Sequence, residues 1–199
     1  SLGNKIVFEE VNHSLGLTFF YGWQASSRYG FVKKTKLINH SEVKLKVKLI
    51  DGLKNILPAG LELRTQQEMS NLANAYKVSE CNPDYNYALY YMNALLMDKP
   101  DPGESLFSNM VWSFSEEKFE LSVNQKSINT FLNDQCFTGD LLIKGKEGSF
   151  LNYIEKSLDQ NHEMCWYIVA DVQKSQSDIV EIVSDLKEHD TLKDKLEES

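Results

Sequence analysis

The stretch EVKLKVKLIDGLKNILPAG, residues 42–60, carries the pattern that decides the fold. Apolar and polar residues alternate over residues 42–49, and this period of two predicts a β-strand with one buried and one solvated face. After residue 49 the spacing of the apolar residues changes from a period of two to a helical period. Asp51 can cap a short helical turn whose apolar residues share one side: Leu53, Ile56 and Leu57. We expect this turn to pack under the rest of the fold or against a neighbouring domain.

Similar alternation recurs through most of the chain before residue 172. The predicted strands cover residues 5–11, 15–23, 29–38, 43–50, 61–68, 86–95, 106–114, 118–124, 139–144 and 164–171. Polar turn segments separate them, and no helical pattern alternates with them. Short strands arranged in this way predict an all-β, mainly antiparallel sandwich.

The C-terminal end follows a helical period instead. Beyond Ser175, apolar residues recur at the spacing of an amphipathic helix: Ile179, Ile182, Val183 and Leu186. A second helical turn is predicted over residues 151–158. We therefore divide the chain into a β-sandwich domain, residues 1–174, and a C-terminal helix or linker, residues 175–199, that leads toward a downstream domain.

Composition narrows the classes of partner. The 199 residues carry a formal net charge of −8, which argues against binding to nucleic acid or to anionic membranes. No apolar run reaches the roughly 18 residues that would predict a membrane span. The cysteines Cys81, Cys136 and Cys165 are scattered, without the spacing of a disulfide framework or a zinc site. Their scatter slightly favours a reducing, cytoplasmic compartment, although the localisation itself stays unknown.

No motif for a nucleophile, a metal or a phosphate group occurs in the sequence. The histidines are dispersed, and neighbouring carboxylates such as Glu9 and Glu10 would point to opposite faces of a strand. We therefore predict no catalytic residue, no metal site and no cofactor within this segment.

Aromatic residues are concentrated in LTFFYGWQASSRYGF, residues 17–31. Exposed rings can stack on sugars while Arg and Gln side chains supply hydrogen bonds, so a carbohydrate-binding surface is one hypothesis. Its candidate residues are Trp23, Gln24, Arg28 and Tyr29. Alternation also places Phe19, Tyr21 and Trp23 on one face, which is more typical of a buried core. A surface that contacts another domain is the third interpretation.

Lysines occupy the polar positions of residues 31–38 and of the strand that follows. A direct hairpin between the two strands would place Lys34 opposite Lys46, and Lys36 would likewise face Lys44. Like charges directly opposite each other are destabilising. We therefore expect the two strands to lie in different sheets or their lysines to meet acidic groups from elsewhere in the parent protein, unless the lysines splay into solvent.

Several blocks of the sequence are similar to a known family: YGFVKKTKLINHSEVKLKVKLIDGLKNILPAG, SNLANAYKVSE, DKPDPGESLFSNMVWS and CWYIVADVQKSQSDIVEIVSDL. In this order they resemble the N-terminal region of large bacterial proteins related to cellobiose phosphorylase and to similar glycoside hydrolases and phosphorylases. The resemblance runs from about Lys5 to Leu186. It implies a galactose-mutarotase-like β-supersandwich that precedes a helical barrel, and the barrel would carry the catalytic carboxylates.

The resemblance also implies a function. The segment would be a non-catalytic accessory domain that packs on the downstream catalytic domain of the same chain, with Leu53, Ile56 and Leu57 as docking candidates. A carbohydrate-binding module is the alternative, and a mutarotase-type sugar epimerase is the least favoured hypothesis. The implied partners are the downstream domain, an oligosaccharide and, as a homodimer, a second copy of the chain.

Overall fold

The computed structural model describes residues 5–94 and 106–197, except for the side chains of residues 189 and 190. The predicted strand over residues 86–95 therefore ends outside the described residues. In chain order the described elements are β1 (Lys5–Asn12), β2 (Leu17–Ser26), β3 (Gly30–Asn39), β4 (Leu45–Ile56), α1 (Leu63–Glu68), α2 (Ser70–Tyr76), β5 (Lys77–Asn82), β6 (Tyr87–Met92), β7 (Ser108–Ser115), β8 (Glu120–Ser122), α3 (Lys126–Leu132), β9 (Leu142–Lys144), β10 (Gly148–Leu158), β11 (Glu163–Lys174), α4 (Gln176–Lys187) and α5 (His189–Glu197).

These strands form two antiparallel sheets. The larger sheet has eight strands in the order β1-β2-β3-β11-β7-β6-β5-β9, and the smaller has three in the order β4-β10-β8. The all-β, mainly antiparallel sandwich with short helices and a C-terminal helix, predicted from the sequence, is confirmed.

The two sheets pack face to face around one apolar core. Alternate residues of the large sheet point toward the small one, among them Leu37, Val111, Trp166 and Ile168. The small sheet contributes Leu121, Phe150, Ile154 and Leu158 to the same core. This core buries one complete face of the small sheet.

Helices α4 and α5 cover the opposite face of the large sheet. Their side chains Ile182, Leu186, Leu192 and Leu196 pack on a second cluster of strand residues that includes Val32, Met110, Trp112 and Tyr167. The predicted helix is confirmed, and Ser175 is its N-cap, in a capping box with Asp178. The segment beyond it forms a second helix, so the molecule has three layers.

Three local predictions were wrong. β4 continues as a strand through Ile56, where a helical turn was expected from Asp51. Residues 151–158 belong to the central strand of the small sheet and not to a helical turn. Residues 63–68 form α1 instead of a strand. In the first two cases apolar spacing fits either period, and pairing between distant strands decides.

Gly52 allows β4 to continue past the change of period. A Cβ atom at this position would lie 1.9 Å from the carbonyl oxygen of Phe150 in the neighbouring strand, so no larger residue fits. The register of β10 against β4 shifts between Gly148 and Phe150, which marks a β-bulge at this close approach.

A buried ion pair joins the two sheets. Lys33 Nζ of β3 lies 2.5 Å from Asp51 Oδ1 of β4, and the two side chains are only 8% and 10% exposed. Trp166 Nε1 of β11 donates a hydrogen bond of 2.8 Å to the other carboxylate oxygen of Asp51. Asp51 is therefore the polar contact between the small sheet and two strands of the large one.

The other lysines meet acidic groups of this same chain. β3 and β4 lie in different sheets, as expected from the charge argument. On β3, Lys34 pairs with Glu197 and Lys36 with Glu163. The β4 side has the pairs Lys44–Asp159, Lys46–Glu155 and Lys48–Asp134. These pairs are largely exposed, and each contributes about 0–1 kcal/mol to stability.

The substitution Asp51→Asn tests the buried link. It leaves the Lys33 charge buried without a counter-ion, and we expect the free energy of unfolding to fall by about 3–5 kcal/mol, as when one partner of a buried pair is removed. Urea unfolding followed by circular dichroism measures this.

The matched control is Glu68→Gln, which removes the exposed ion pair between Arg64 and Glu68. We expect it to change the free energy of unfolding by less than about 1 kcal/mol. Equal effects of the two substitutions would contradict a structural role for Asp51.

Candidate functional site

The inner face of β1 and β2 extends beyond the small sheet. Neither core cluster contains a residue of the described β1. On β2, Leu17 and Phe19 pack against the inner core, whereas Tyr21 and Trp23 lie farther along the strand and are half-buried. This corner of the large sheet therefore presents its inner side chains to solvent.

Four side chains form this surface, which we call the aromatic face: Ile6, Phe8, Tyr21 and Trp23. Ile6 lies opposite Trp23, and Phe8 lies opposite Tyr21. The Phe8 and Tyr21 rings stack with centroids 4.9 Å apart and an interplanar angle of 17°. Ile6 is 61% exposed and Phe8 is 46% exposed. The face is a partly exposed apolar surface beside the sandwich core.

The sequence alone does not single out Ile6 and Phe8. Their signal is the alternation in KIVFEEV, which places both on one side of a strand. The pairing of β1 with β2 is what places them beside Tyr21 and Trp23, and a strand pattern does not reveal its partner.

The buried ion pair closes one side of the aromatic face. Lys33 lies opposite Trp23 in the β2–β3 pairing, and its Nζ is 5.5 Å from the centroid of the Tyr21 ring. The Lys33 charge is already paired with Asp51. A ligand on this face would therefore contact aromatic rings. The Lys33 ammonium at the inner end of the face is already neutralised by Asp51.

The structure does not bring the four predicted sugar-binding residues into one site. Trp23 and Gln24 are consecutive in β2, so their side chains point to opposite faces of the sheet. Trp23 belongs to the aromatic face, and Gln24 lies on the outer face. Arg28 and Tyr29 lie at the turn between β2 and β3.

Arg28 and Tyr29 attach this turn to the C-terminal helices. The Tyr29 hydroxyl donates a hydrogen bond of 3.0 Å to Asp185 Oδ2 of α4, and Arg28 Nη2 donates one of 2.7 Å to the same oxygen. Lys195 of α5 donates to the other carboxylate oxygen at 2.9 Å. The Tyr29 ring is 1% exposed and meets Trp112 edge-on, so it has no free face for a sugar.

This network has a defined charge state. Burial raises the pKa of Tyr29 to about 12, with the hydrogen bond to Asp185 acting in the same direction. For Asp185, burial alone would raise the pKa, but the hydrogen bonds from Lys195, Tyr29 and Arg28 together lower it below the ordinary 3.8. At neutral pH the network therefore holds one carboxylate between two cations and a neutral phenol.

The predicted docking residues lie at the other end of the sandwich. Leu53 and Ile56 pack against the inner core of the sandwich itself. Leu57 is half-buried, and its carbonyl oxygen accepts a hydrogen bond of 2.8 Å from Asn109 Nδ2. Docking of these residues on another domain stays a prediction.

The helices that follow this segment expose apolar side chains. Helix α1 buries none of its residues, and α2 buries only Ala73. Helix α2 contacts β9, where further apolar residues are exposed. We call the combined set the α1–α2 surface: Leu63 (61% exposed), Met69 (54%), Leu72 (49%), Leu141 (44%) and Leu142 (53%).

Histidines and cysteines are the remaining groups with potential for chemistry. His13, His40 and His162 are exposed and lie at one end of the large sheet, where the Asn39 N–H donates to the His162 carbonyl oxygen and the His40 N–H donates to the Gly16 carbonyl oxygen. Cys81, Cys136 and Cys165 are free thiols, and burial raises the pKa of Cys81 to about 11. Among the described residues, no group of three or more metal-ligating side chains comes together. None of the described helices is long and apolar enough to cross a membrane.

Comparisons with known proteins give structural neighbours only. No protein-family model matches the sequence, and no curated protein matches it. A Synechocystis protein is similar in structure, with a TM-score of 0.42, 8% identity, and coverage of 85% of this chain and 61% of that one. A galactose mutarotase-like protein from Clostridium acetobutylicum has a TM-score of 0.38, 10% identity, and coverage of 85% and 62%.

A third neighbour is a candidate aldose 1-epimerase from Klebsiella pneumoniae, with a TM-score of 0.43, 8% identity, and coverage of 95% of this chain and 56% of that one. The chain thus spans about three fifths of the length of these proteins. Likeness at this level identifies no function, and the relation to cellobiose phosphorylase stays a prediction.

The substitution Asp185→Asn tests the network that fastens α4. Hydrogen bonds to charged groups contribute about 1.5–3 kcal/mol, so we expect a loss of that order at pH 7. Because the pKa of Asp185 is lowered in the folded state, its contribution is present above the ordinary value of 3.8 and is lost as the pH falls through the folded value. The difference between the two proteins should therefore shrink below pH 3.8 in urea unfolding.

Glu181→Gln is the control, since Glu181 lies 3.9 Å from Arg28 and its side chain is 76% exposed. Glu181→Gln should leave the free energy of unfolding nearly unchanged both at pH 7 and below pH 3.8. A difference between wild type and Asp185→Asn that is independent of pH would contradict the assigned charge state.

Proposed function

We propose that this chain is a non-catalytic accessory β-sandwich domain of a larger carbohydrate-active protein, and that it docks through the α1–α2 surface on the catalytic domain that follows it. The observation that carries this proposal is the exposure of Leu63 on α1, Leu72 on α2 and Met69 between them, where the two helices bury almost nothing within the chain.

The two helices need a partner on physical grounds. Helix α1 has six residues and α2 has seven, and helices this short are marginal unless an apolar face is packed. Exposed apolar residues that lie together are typical of contact surfaces between proteins or domains. Leu141 and Leu142, beside and at the start of β9, are also exposed, and β9 contacts α2.

The position of this surface fits an accessory role. It lies beside β9, at the edge of the large sheet farthest from β1. A domain docked there leaves the aromatic face open. The carbohydrate context comes from the sequence resemblance, by which the parent would be a glycoside hydrolase or phosphorylase.

Hydrogen exchange provides the test. In the longer protein that includes the following domain, we expect backbone amides of α1 and α2 to exchange at least about tenfold more slowly than in the isolated chain, because docking raises the free energy of local opening. Strand β2, near the opposite edge of the large sheet, serves as the internal reference.

Two substitutions on α2 separate docking from a general effect of charge. Leu72→Asp places a carboxylate in the apolar contact and should abolish the added protection. Asn71→Asp adds the same charge at an exposed polar position of the same helix and should preserve it. Equal exchange in the long and short proteins would contradict the proposal.

A specific observation favours carbohydrate binding as a second function. The Phe8 and Tyr21 rings stack on each other, Phe8 is 46% exposed, and Trp23 is half-buried in the same face. Rings exposed on a sheet offer the apolar face of a sugar a stacking partner. This function would use the aromatic face and not the α1–α2 surface. Mutarotase-type epimerisation, the third hypothesis, is tested directly by an anomerisation assay.

Calorimetric titration with glucose oligosaccharides tests binding at the aromatic face. We expect Trp23→Ala to abolish the heat of binding, because it removes the ring that faces the ligand. Gln24→Ala changes the next residue, which points to the opposite face, and should bind as wild type does. Binding that survives Trp23→Ala would place the sugar elsewhere, and no heat with wild type would rule out this function for these sugars.

A further inference from the structure

β1 is an open edge of the large sheet. It is the terminal strand in the sheet order, and all eight of its residues are exposed. An edge strand presents a row of backbone N–H and C=O groups that can pair with another strand. Ile6 and Phe8 are exposed on the inner face, and Val7 and Val11 are exposed on the outer face. Such an apolar edge favours pairing over solvation.

The sequence of β1 is complementary to itself. Two antiparallel copies centred on Val7 place this valine opposite its equivalent. Ile6 of each copy then faces Phe8 of the other. Lys5 of each copy faces Glu9 of the other, so each pairing contains two opposite-charge contacts. In an antiparallel pair, residues directly opposite each other lie on the same face, and these contacts are the favourable cross-strand types.

Antiparallel pairings of two β1 strands centred on Phe8 or Glu9 are unfavourable. With Phe8 at the centre, Ile6 would face Glu10 and Val7 would face Glu9. Centring on Glu9 would put two like carboxylates opposite each other and Phe8 opposite Glu10. Like charges in direct opposition destabilise a pair, and apolar residues opposite carboxylates lose their packing partners. Of these three pairings, only the one centred on Val7 places opposite charges across from each other and apolar residues across from apolar residues.

The outer surface beside β1 adds charge complementarity. A groove of about 380 Å³ runs there, lined by Lys5, Val7 and Phe20 together with Lys34 and Lys36. Lys34 and Lys36 already pair with Glu197 and Glu163, so Lys5 on β1 itself is the lysine that the charge argument uses. In the pairing centred on Val7, the partner's Glu9 would approach Lys5 at the margin of this groove.

We propose that two copies of this chain associate through β1 in the pairing centred on Val7, about a two-fold axis perpendicular to the sheet, so that the two eight-stranded sheets become continuous. The interface goes beyond the accessory function proposed above and does not rest on it. It uses the edge opposite to the α1–α2 surface.

Charge reversal in sedimentation velocity tests the pairing. Over a concentration series we expect the chain to dimerise, and Lys5→Glu to weaken the dimer at least about tenfold, because two contacts become repulsive at once. Glu9→Lys should do the same. The double variant Lys5→Glu/Glu9→Lys should restore the wild-type dissociation constant, because each contact joins residue 5 of one copy to residue 9 of the other.

Lys54→Glu is the matched control, since it makes the same change in net charge at an exposed position of the small sheet. It should dimerise as wild type does. Circular dichroism of each variant confirms that the fold is retained. A chain that stays monomeric at its highest soluble concentration would overturn the proposal, as would a double variant that remains as weak as the single ones.

A cross-link fixes the centre of the pairing independently. Opposite residues in antiparallel strands have Cα atoms about 4.5–5.5 Å apart, within the range of a disulfide. In a background in which the exposed Cys136 is serine, Val7→Cys should form a disulfide-linked dimer on mild oxidation, and Glu9→Cys should not. Preferential cross-linking through residue 9 would overturn the proposed centre.

Discussion

The contact of Lys33 and Trp166 with Asp51 is a buried polar constraint on how the two sheets lie on each other. Apolar burial drives the sheets together but has no direction. A buried carboxylate must keep its partners, because a charge removed from water without compensation costs several kcal/mol. Only one alignment brings Asp51 within 2.5 Å of the lysine ammonium and 2.8 Å of the indole N–H. Hydrogen bonds from Asn39 to the Leu158 carbonyl, from Tyr90 to the Ser149 carbonyl and from Ser113 to Asn152 also join the two sheets. Together these polar contacts restrict the position of the small sheet more narrowly than apolar contacts alone do.

That position leaves part of the large sheet uncovered. The three strands of the small sheet lie over the middle of an eight-stranded sheet, and the β1–β2 corner extends past them. Helices α4 and α5 cover the other side, where Asp185 binds Arg28 and Tyr29 of the β2–β3 turn. The β2–β3 turn therefore binds the helices, and it also ends β2, which carries part of the aromatic face. Exposure of that face follows from the unequal size of the two sheets.

Strand alternation was enough to predict the sandwich, because a period of two depends only on local sequence. It failed at Asp51, where the following apolar residues fit a helical turn as well as a strand. What decides is the close approach of Phe150 at Gly52, a contact between residues far apart in sequence. The lysines were predicted better, since like charges on paired strands disfavour a hairpin, and of the alternatives considered the two strands do lie in different sheets. Trp23 was identified as a site residue, but its neighbours Ile6 and Phe8 depend on which strand pairs with β2.

The two edges of the large sheet favour different partners. At the β9 edge, short helices present apolar side chains without a matching strand, which suits the surface of another domain. At the β1 edge, the backbone is open and the side chains are complementary to themselves, which suits a second copy. In the proposed dimer, Ile6 of one copy meets Phe8 of the other, so the two aromatic faces would join across the two-fold axis. The apolar surface of one copy would then become continuous with that of the other.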